Sequence, residues 1–486
     1  MKNLSLLFIS IVTLALFSCQ REEVQQNGGL VTITATQKSS PDLKTNIGAP
    51  GTVAVTWNET DNLAVFDATE LNQNVPFTYS TGADTKSATF SGVIQEWANG
   101  QKKTFNAFYP YNIANDEQSY LAFGFYIPTS QTQIFIGGLP DYDHLGLYDF
   151  MAASPVEVTR TGAEQPAISF EFKHLMAILD IEVTNSTGGA VTVTKISVQR
   201  AADDITGRAQ VDFSKSPGQA GFYSVPAGFP YNHSDLTLQN SGSTGVGGTI
   251  TGSMIIAPVD LSGGITGFVV TVTGGTQYAV AKTAGPSLAA GNRYKAQITI
   301  TTPSFFDLRS SKVYKTVKIG TQIWMAENLN FVPASGSSWC YDNNSLNCDT
   351  YGRLYDWTTA TADNHGNGTD ICPAGWHLPT DGEFTTLTTF LGGLGVAGGP
   401  LKETGTTHWT SQSAGATNSS GFTALPGGRS YNGAFDYLGL RAYFWSASEN
   451  GTLYAWGRYL NYNYDGVYRL DYYRTVGFSV RCLQNN

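Results

Sequence analysis

A chain of 486 residues is longer than one hydrophobic core usually supports, so two to four domains of about 100 to 200 residues are expected. Charged residues make up 14% of it, against about 25% in an average soluble protein, while aromatics reach 12% and glycine numbers 53. That balance favours a β-rich exported protein over a cytosolic helical enzyme, and the formal charge of -10 without any Lys/Arg cluster excludes nucleic acid, whose binding rests on neutralising phosphates.

Residues 1–18 read as an export signal. Lys2 supplies the positive n-region, and Leu4 to Leu16 form an apolar h-region too short to span a bilayer. The segment ends in Leu16-Phe17-Ser18-Cys19, which resembles a bacterial lipobox. Cys19 is thereby expected to become the lipid-modified first residue, anchored by acyl chains that contribute about 0.8 kcal/mol per buried methylene. Gln20-Arg21-Glu22-Glu23, within a tether of residues 19–29, is similar to the acidic tag that sends Bacteroidota lipoproteins to the outer face of the outer membrane. No other segment is apolar enough to span, so contact with the membrane is expected through the lipid alone.

From Leu30 to about Ile300 the hydrophobic period is two. Val31, Ile33 and Ala35 alternate with threonines, Leu179, Ile181 and Val183 with Asp180 and Glu182, and Phe268, Val270 and Val272 follow suit. Turns such as Ser186-Thr187-Gly188-Gly189 and Thr273-Gly274-Gly275 punctuate these strands, which predicts β-sandwiches.

The run Val53 to Phe66, then Ala88-Thr89-Phe90-Ser91-Gly92, Asn106 to Asn112, Phe172 to Ala177 and Ala290-Gly291-Asn292-Arg293-Tyr294 resemble, in this order, the fimbrillin-like family of Bacteroidota surface lipoproteins. The resemblance implies two sandwiches, at residues 30–165 and 166–302. It also implies polymerisation by donor-strand addition between fimbrial subunits. In that family a groove opens when the chain is cut after a basic residue near its N-terminus; Lys38 and Lys44 are both candidates here.

Thr301-Thr302-Pro303-Ser304 reads as a linker, and the character changes from Val313 onward. Tyr314 to Leu329, Gly352-Arg353-Leu354-Tyr355-Asp356-Trp357 and Cys372 to Thr380 lead to a capping box at Thr380-Asp381-Gly382-Glu383, with Phe384, Leu387, Phe390 and Leu391 at helical spacing behind it. This order resembles the Fibrobacter succinogenes major paralogous domain, which is similar in fold to C-type lectins and formylglycine-generating enzymes. The fold class expected for the whole chain is therefore mostly β: two tandem fimbrillin-like β-sandwiches followed by a C-type-lectin-like α+β domain at residues 303–486.

Besides Cys19, four cysteines remain, all in the last third. An even count in an exported region suggests disulfides, and the favoured pairing is Cys340 with Cys348, around an Asp/Asn-rich loop, and Cys372 with Cys482, tying the domain's middle to its last strand. A zinc site near His365, His377 and His408 is the rival reading, but it lacks Cys-x-x-Cys spacing. His377 reads as a structural core histidine. With the cysteines committed and no Ser-His-Asp or Cys-His spacing in view, neither a catalytic residue nor a cofactor is expected. The lectin triplets Glu-Pro-Asn, Gln-Pro-Asp and Trp-Asn-Asp are missing, which argues against a bound calcium.

The stretch Tyr454 to Arg474 has the composition of a contact surface. Tyrosine gives rigid amphipathic area at low entropic cost, and Asn and Asp give adaptable hydrogen bonds. Ala455, Leu460, Val467, Phe478 and Val480 are assigned to the core, leaving Tyr454, Trp456, Tyr459, Tyr462, Tyr464, Tyr468, Tyr472 and Tyr473 as the candidate ligand-binding residues. Because some domains of this kind are targets of diversity-generating retroelements, which convert Asn codons to Tyr, Asp or Ser, the resemblance also implies a stretch that varies between isolates. The expected function is that of a fimbrial tip adhesin binding a glycan or protein, the alternative being a monomeric surface lipoprotein that binds such a ligand outside any fimbria.

Overall fold

A computed structural model describes residues 28–485 with the exception of 38–56, 58, 60, 69–73, 82–86, 112–122, 128, 134, 137–138, 141–149, 201–204, 206, 212–214, 216–222, 225–234, 240–241, 284, 363–369 and 412–413. The expected export signal, Cys19, Lys38, Lys44 and His365 lie outside the described residues.

The alternating strands of the first unit form one sheet that closes on itself. Gly28–Gln37 pairs antiparallel with Ser87–Gln95 and parallel with Ile168–His174, with Ile33 opposite both Phe90 and Ile168. Asn74–Thr81, Asn62–Asp67 and Lys102–Tyr109 continue the order, and Met151–Ala153 bonds to both Lys102–Tyr109 and Ile168–His174, completing the ring. Inward-facing Val31, Ile33, Phe77, Phe90, Phe105 and Phe172 bury together around Trp57, whose ring meets Phe90, Tyr109 and Phe172 edge-on at 5.2 to 5.5 Å. Edge-to-face contacts add about 0.5 to 1.5 kcal/mol per pair beyond the area buried. The boundary expected between residues 165 and 166 moves: Ile168, Phe170 and Phe172 fill the first core, and the crossover follows His174.

Ala177–Asn185 opens the second unit between Thr249–Ile256 and, in parallel, Arg293–Ile300. The facing sheet runs Gln277–Lys282, Thr266–Val272, Val191–Arg200, Asp235–Gln239 and Ser130–Thr132. Between the two lie Leu179, Ile181, Val183, Ile196, Val198 and Val270, an aliphatic sandwich core. Its last strand, Ser130–Thr132, comes from the middle of the first unit. The buried Gln131 side chain fixes it there, donating to the Ile255 carbonyl at 2.7 Å and accepting from the Ile255 N–H at 2.9 Å.

No slack linker follows. Ser304–Asp307 hairpins with Lys312–Ile319, and Ser304 Oγ accepts from the Ala279 N–H at 2.9 Å. Phe306 packs on Val269 and Ala279, over Gly267, where a Cβ would come within 2.3 Å of the Phe306 ring. The C-terminal domain is thus seated on the second unit.

Within that domain, Arg441–Asn450 is central. Tyr443 and Trp445 face one aromatic core, Ala442 and Phe444 another, as the period of two requires. Both favoured disulfides are present, Cys340–Cys348 and Cys372–Cys482. Helix Asp381–Phe390 starts on the reciprocal Thr380/Glu383 capping box; Phe384 and Leu387 bury as the spacing predicts, while Phe390 is 63% exposed at the helix end. Arg481 is fully buried and spends its guanidinium on oxygens, donating Nε to Asn328 Oδ1 at 2.7 Å, Nη2 to the Thr423 carbonyl at 2.9 Å, and Nη1 to the Phe422 carbonyl. No helix among the described residues is long and apolar enough to cross a membrane.

Candidate ligand-binding face

The Tyr-rich stretch folds into two strands of a meander with Arg441–Asn450: Tyr454–Asn461 and Val467–Tyr473. Register decides which way each side chain points. Opposed pairs Tyr459/Tyr468, Gly457/Leu470 and Ala455/Tyr472 lie on one face, and Leu460/Val467, Arg458/Arg469, Trp456/Asp471 and Tyr454/Tyr473 on the other.

The second face is structural over most of its area. Asp381, the first residue of its helix, accepts from Arg458 Nη1 at 2.7 Å and from Arg469 Nε and Nη2 at 2.9 Å each. Burial alone would raise the Asp381 carboxyl, but hydrogen bonds from Arg469 and Arg458 outweigh it and hold it below the ordinary range. The Arg469 guanidinium lies 3.6 Å over one face of the half-buried Trp456 ring. Tyr473 is 45% exposed and leans on the half-buried Tyr454 with centroids 4.6 Å apart.

The first face departs from the expectation in part. Tyr459 is buried, its ring stacked on Tyr468 at 4.4 Å and tilted on Tyr443 at 5.2 Å, so it supports the surface from beneath. Tyr472 is half-buried against the edge of Phe478, and burial raises its hydroxyl far above the usual range. Tyr462 is half-buried against the opposite core. Tyr464, at 37% exposure, and half-buried Tyr468 remain at the surface, their rings 4.8 Å apart.

A second hairpin completes this face. Gly427–Tyr431 and Ala434–Leu438 pair across Asn432-Gly433, both at positive φ, as a two-residue turn demands. The Asn-Gly pair between Tyr431 and Ala434 was its sequence signal. Tyr437 carries φ +66°, a conformation that costs a non-glycine residue about 1 to 3 kcal/mol and clusters at functional sites. Two guanidiniums flank its ring, Arg441 at 4.0 Å and Arg429 at 5.1 Å from the centroid. Arg441 also lies 5.3 Å from the Tyr459 centroid and donates Nη1 to the Tyr443 hydroxyl at 3.0 Å. Arg429 stands 3.4 Å from Asp436, and its Nε has no hydrogen-bond partner among the described residues. The face is thus a bed of tyrosines around two cations and one carboxylate.

His377 lies elsewhere and is no core histidine: its nitrogens face Glu383 at 2.9 Å and Asn485 at 2.6 Å, at the helix start. Among the described residues no cluster of His, Cys, Asp and Glu could hold a metal ion. A groove of about 660 Å³ lies beside Lys315, Glu327, Asn328 and Glu403, but Lys315 pairs with Glu327, Glu403 with His408, and Arg481 in its lining already donates to Asn328 and the Thr423 carbonyl.

The sequence model described as fimbrillin-like matches residues 45–320, more than half of the chain. The chain belongs to the fimbrillin-like family. Residues 317–484 match the Fibrobacter succinogenes major domain, so the two matches meet on the strand Lys312–Ile319. Solved structures similar to this fimbrillin-like protein include a candidate cell adhesion protein from Bacteroides uniformis, 18% identical over 56% of this chain and 93% of that one, with a TM-score of 0.37. A fimbrial protein from Bacteroides ovatus is 12% identical over 95% and 100% of the two chains, with a TM-score of 0.26. A comparison with curated proteins finds no match.

Proposed function

We propose that this fimbrillin-like protein reaches the outer membrane as a lipid-anchored precursor and, once cut, serves as a fimbrial tip adhesin that holds its ligand on the aromatic face of the C-terminal domain. The observation that carries the proposal is the docking of that domain. Arg293–Ile300, the last strand of the second unit, is paired along its length with Ala177–Asn185 and runs within three residues into Ser304–Asp307, itself seated on Ala279 and Val269. A strand tethered at both ends to folded structure is poorly free to be donated to another subunit. The opposite role is open to it: cutting after Lys38 or Lys44 would free Gly28–Gln37, and its departure would leave unpaired edges on Ser87–Gln95 and Ile168–His174 for an incoming strand.

The test is substitution of Lys38 and Lys44 together by alanine, followed by isolation of fimbriae. The unaltered protein should be found trimmed, at one copy per fimbria end. The double variant should stay full length, remain at the cell surface, and be missing from fimbriae. A full-length, unassembled unaltered protein would refute the tip role and favour a monomeric surface binder.

A further inference from the structure

The aromatic face carries an electrostatic imbalance that points to a ligand class. Arg441 presents five N–H donors, and among the described residues only one is engaged, Nη1 with the Tyr443 hydroxyl. It has no carboxylate partner there. Arg429 reaches Asp436 only at 3.4 Å and leaves Nε unengaged. Two cations against one carboxylate, in a chain whose formal charge is -10, is a local reversal of sign held on a partly desolvated surface. The buried Arg429 Nε lacks a partner at a cost in stability, while the remaining donors of Arg441 are open to solvent and can take up an arriving anion. Stacking on Tyr437 and Tyr459 keeps Arg441 in place before any ligand arrives, so little entropy is lost on binding.

We infer that this face binds a carboxylated sugar, its carboxylate paired with Arg441 and its C–H face against Tyr464 and Tyr468. The inference rests on the C-terminal domain being the adhesive part. A carboxylate matches the planar guanidinium fork, tyrosine rings offer apolar area to a pyranose, and the exposed Asn463 on the linking turn offers hydrogen bonds to its hydroxyls. Uronic acids and sialic acids share this chemistry.

The test uses the full chain, immobilised, against sialyllactose, lactose, oligogalacturonate, methyl-esterified oligogalacturonate, dextran sulfate and poly-glutamate. At least one carboxylated sugar should bind tenfold or more tighter than its neutral counterpart, and which of the two it is identifies the source. Arg441→Gln should abolish that preference, and Arg429→Gln should reduce it. The comparison of free acid with ester needs no variant, so it stands even where a substitution disturbs folding. Equal binding of acid and ester overturns the inference, as does tighter binding of dextran sulfate or poly-glutamate, or no saccharide binding at all. If cells lacking this protein lose adhesion while none of the carboxylated sugars binds, the ligand class falls and the adhesive role stands.

Discussion

The two disulfides close loops of very different size, and loop size sets how much each should stabilise the C-terminal domain. Cys340–Cys348 spans 8 residues and Cys372–Cys482 spans 110. If a crosslink acts by removing chain entropy from the unfolded state, the short loop contributes about 2.5 kcal/mol and the long one about 4.8 kcal/mol. Replacing each pair by alanines in the full chain should therefore separate the two variants by about 2 kcal/mol. Cys482 is buried at 0% exposure, so the small cavity left there pushes the difference the same way. The chain has several cores and will not unfold in one step, so the assay must be local. Hydrogen exchange of the buried amides in Arg441–Asn450 reports the opening of this domain alone, and about 2 kcal/mol corresponds to roughly 30-fold faster exchange in the long-loop variant than in the short-loop one. Equal rates, or faster exchange without Cys340–Cys348, would refute the entropic reasoning.

Asp381→Ala strands the buried Arg458 without its counter-charge and should cost about 3 kcal/mol, read by the same exchange. Because the folded Asp381 carboxyl titrates below its unfolded value, its contribution is complete above about pH 4 and is lost as pH falls through the folded value; an acid unfolding midpoint that Asp381→Asn leaves unmoved would contradict this. Lys402, 0% exposed, donates Nζ to the carbonyls of Ala414 and Tyr464 at 2.7 Å, and burial pushes it down to about 8. The folded chain then sheds this proton before the unfolded chain does, so stability relative to Lys402→Met should rise from about pH 8 to about pH 10.4, and a flat difference would show the ammonium is not depressed. Tyr459→Ala should loosen the domain by about 3 kcal/mol through lost packing, whereas Tyr464→Ala should weaken ligand binding with under 0.5 kcal/mol lost in stability; a reversed pattern would invert the assignment of support and surface.

Features written in neighbouring residues were legible from the sequence. The capping box spans Thr380 to Glu383, and strands such as Ile168–His174 and Ala177–Asn185 announce themselves by alternation. The cysteine pairing also held, since four cysteines offered few alternatives. What a strand pairs with is a different matter. Ile168–His174 reads as a good half-buried strand in either unit, and only its register against Gly28–Gln37 assigns it to the first. The same applies to the tyrosines. Composition marks Tyr454 to Tyr473 as aromatic, but whether Tyr459 is contact or foundation depends on Tyr443 and Tyr468 closing over it, both of which lie on other strands. Arg429, Tyr437 and Arg441 carry no local signature at all, because their meaning arises only where two hairpins meet.

Ser130–Thr132 leaves the first unit to become the edge strand of the second. It works as a stitch: the first unit cannot be excised, swapped for a relative's, or lost by recombination at residue 174 without stripping the second of a strand and of the Gln131 contacts that seal it. The unit of inheritance in this part of the chain is therefore the pair, and a hybrid made by exchange at a domain border would break after Ile300, at the loss of the Ser304 and Phe306 contacts with the second unit.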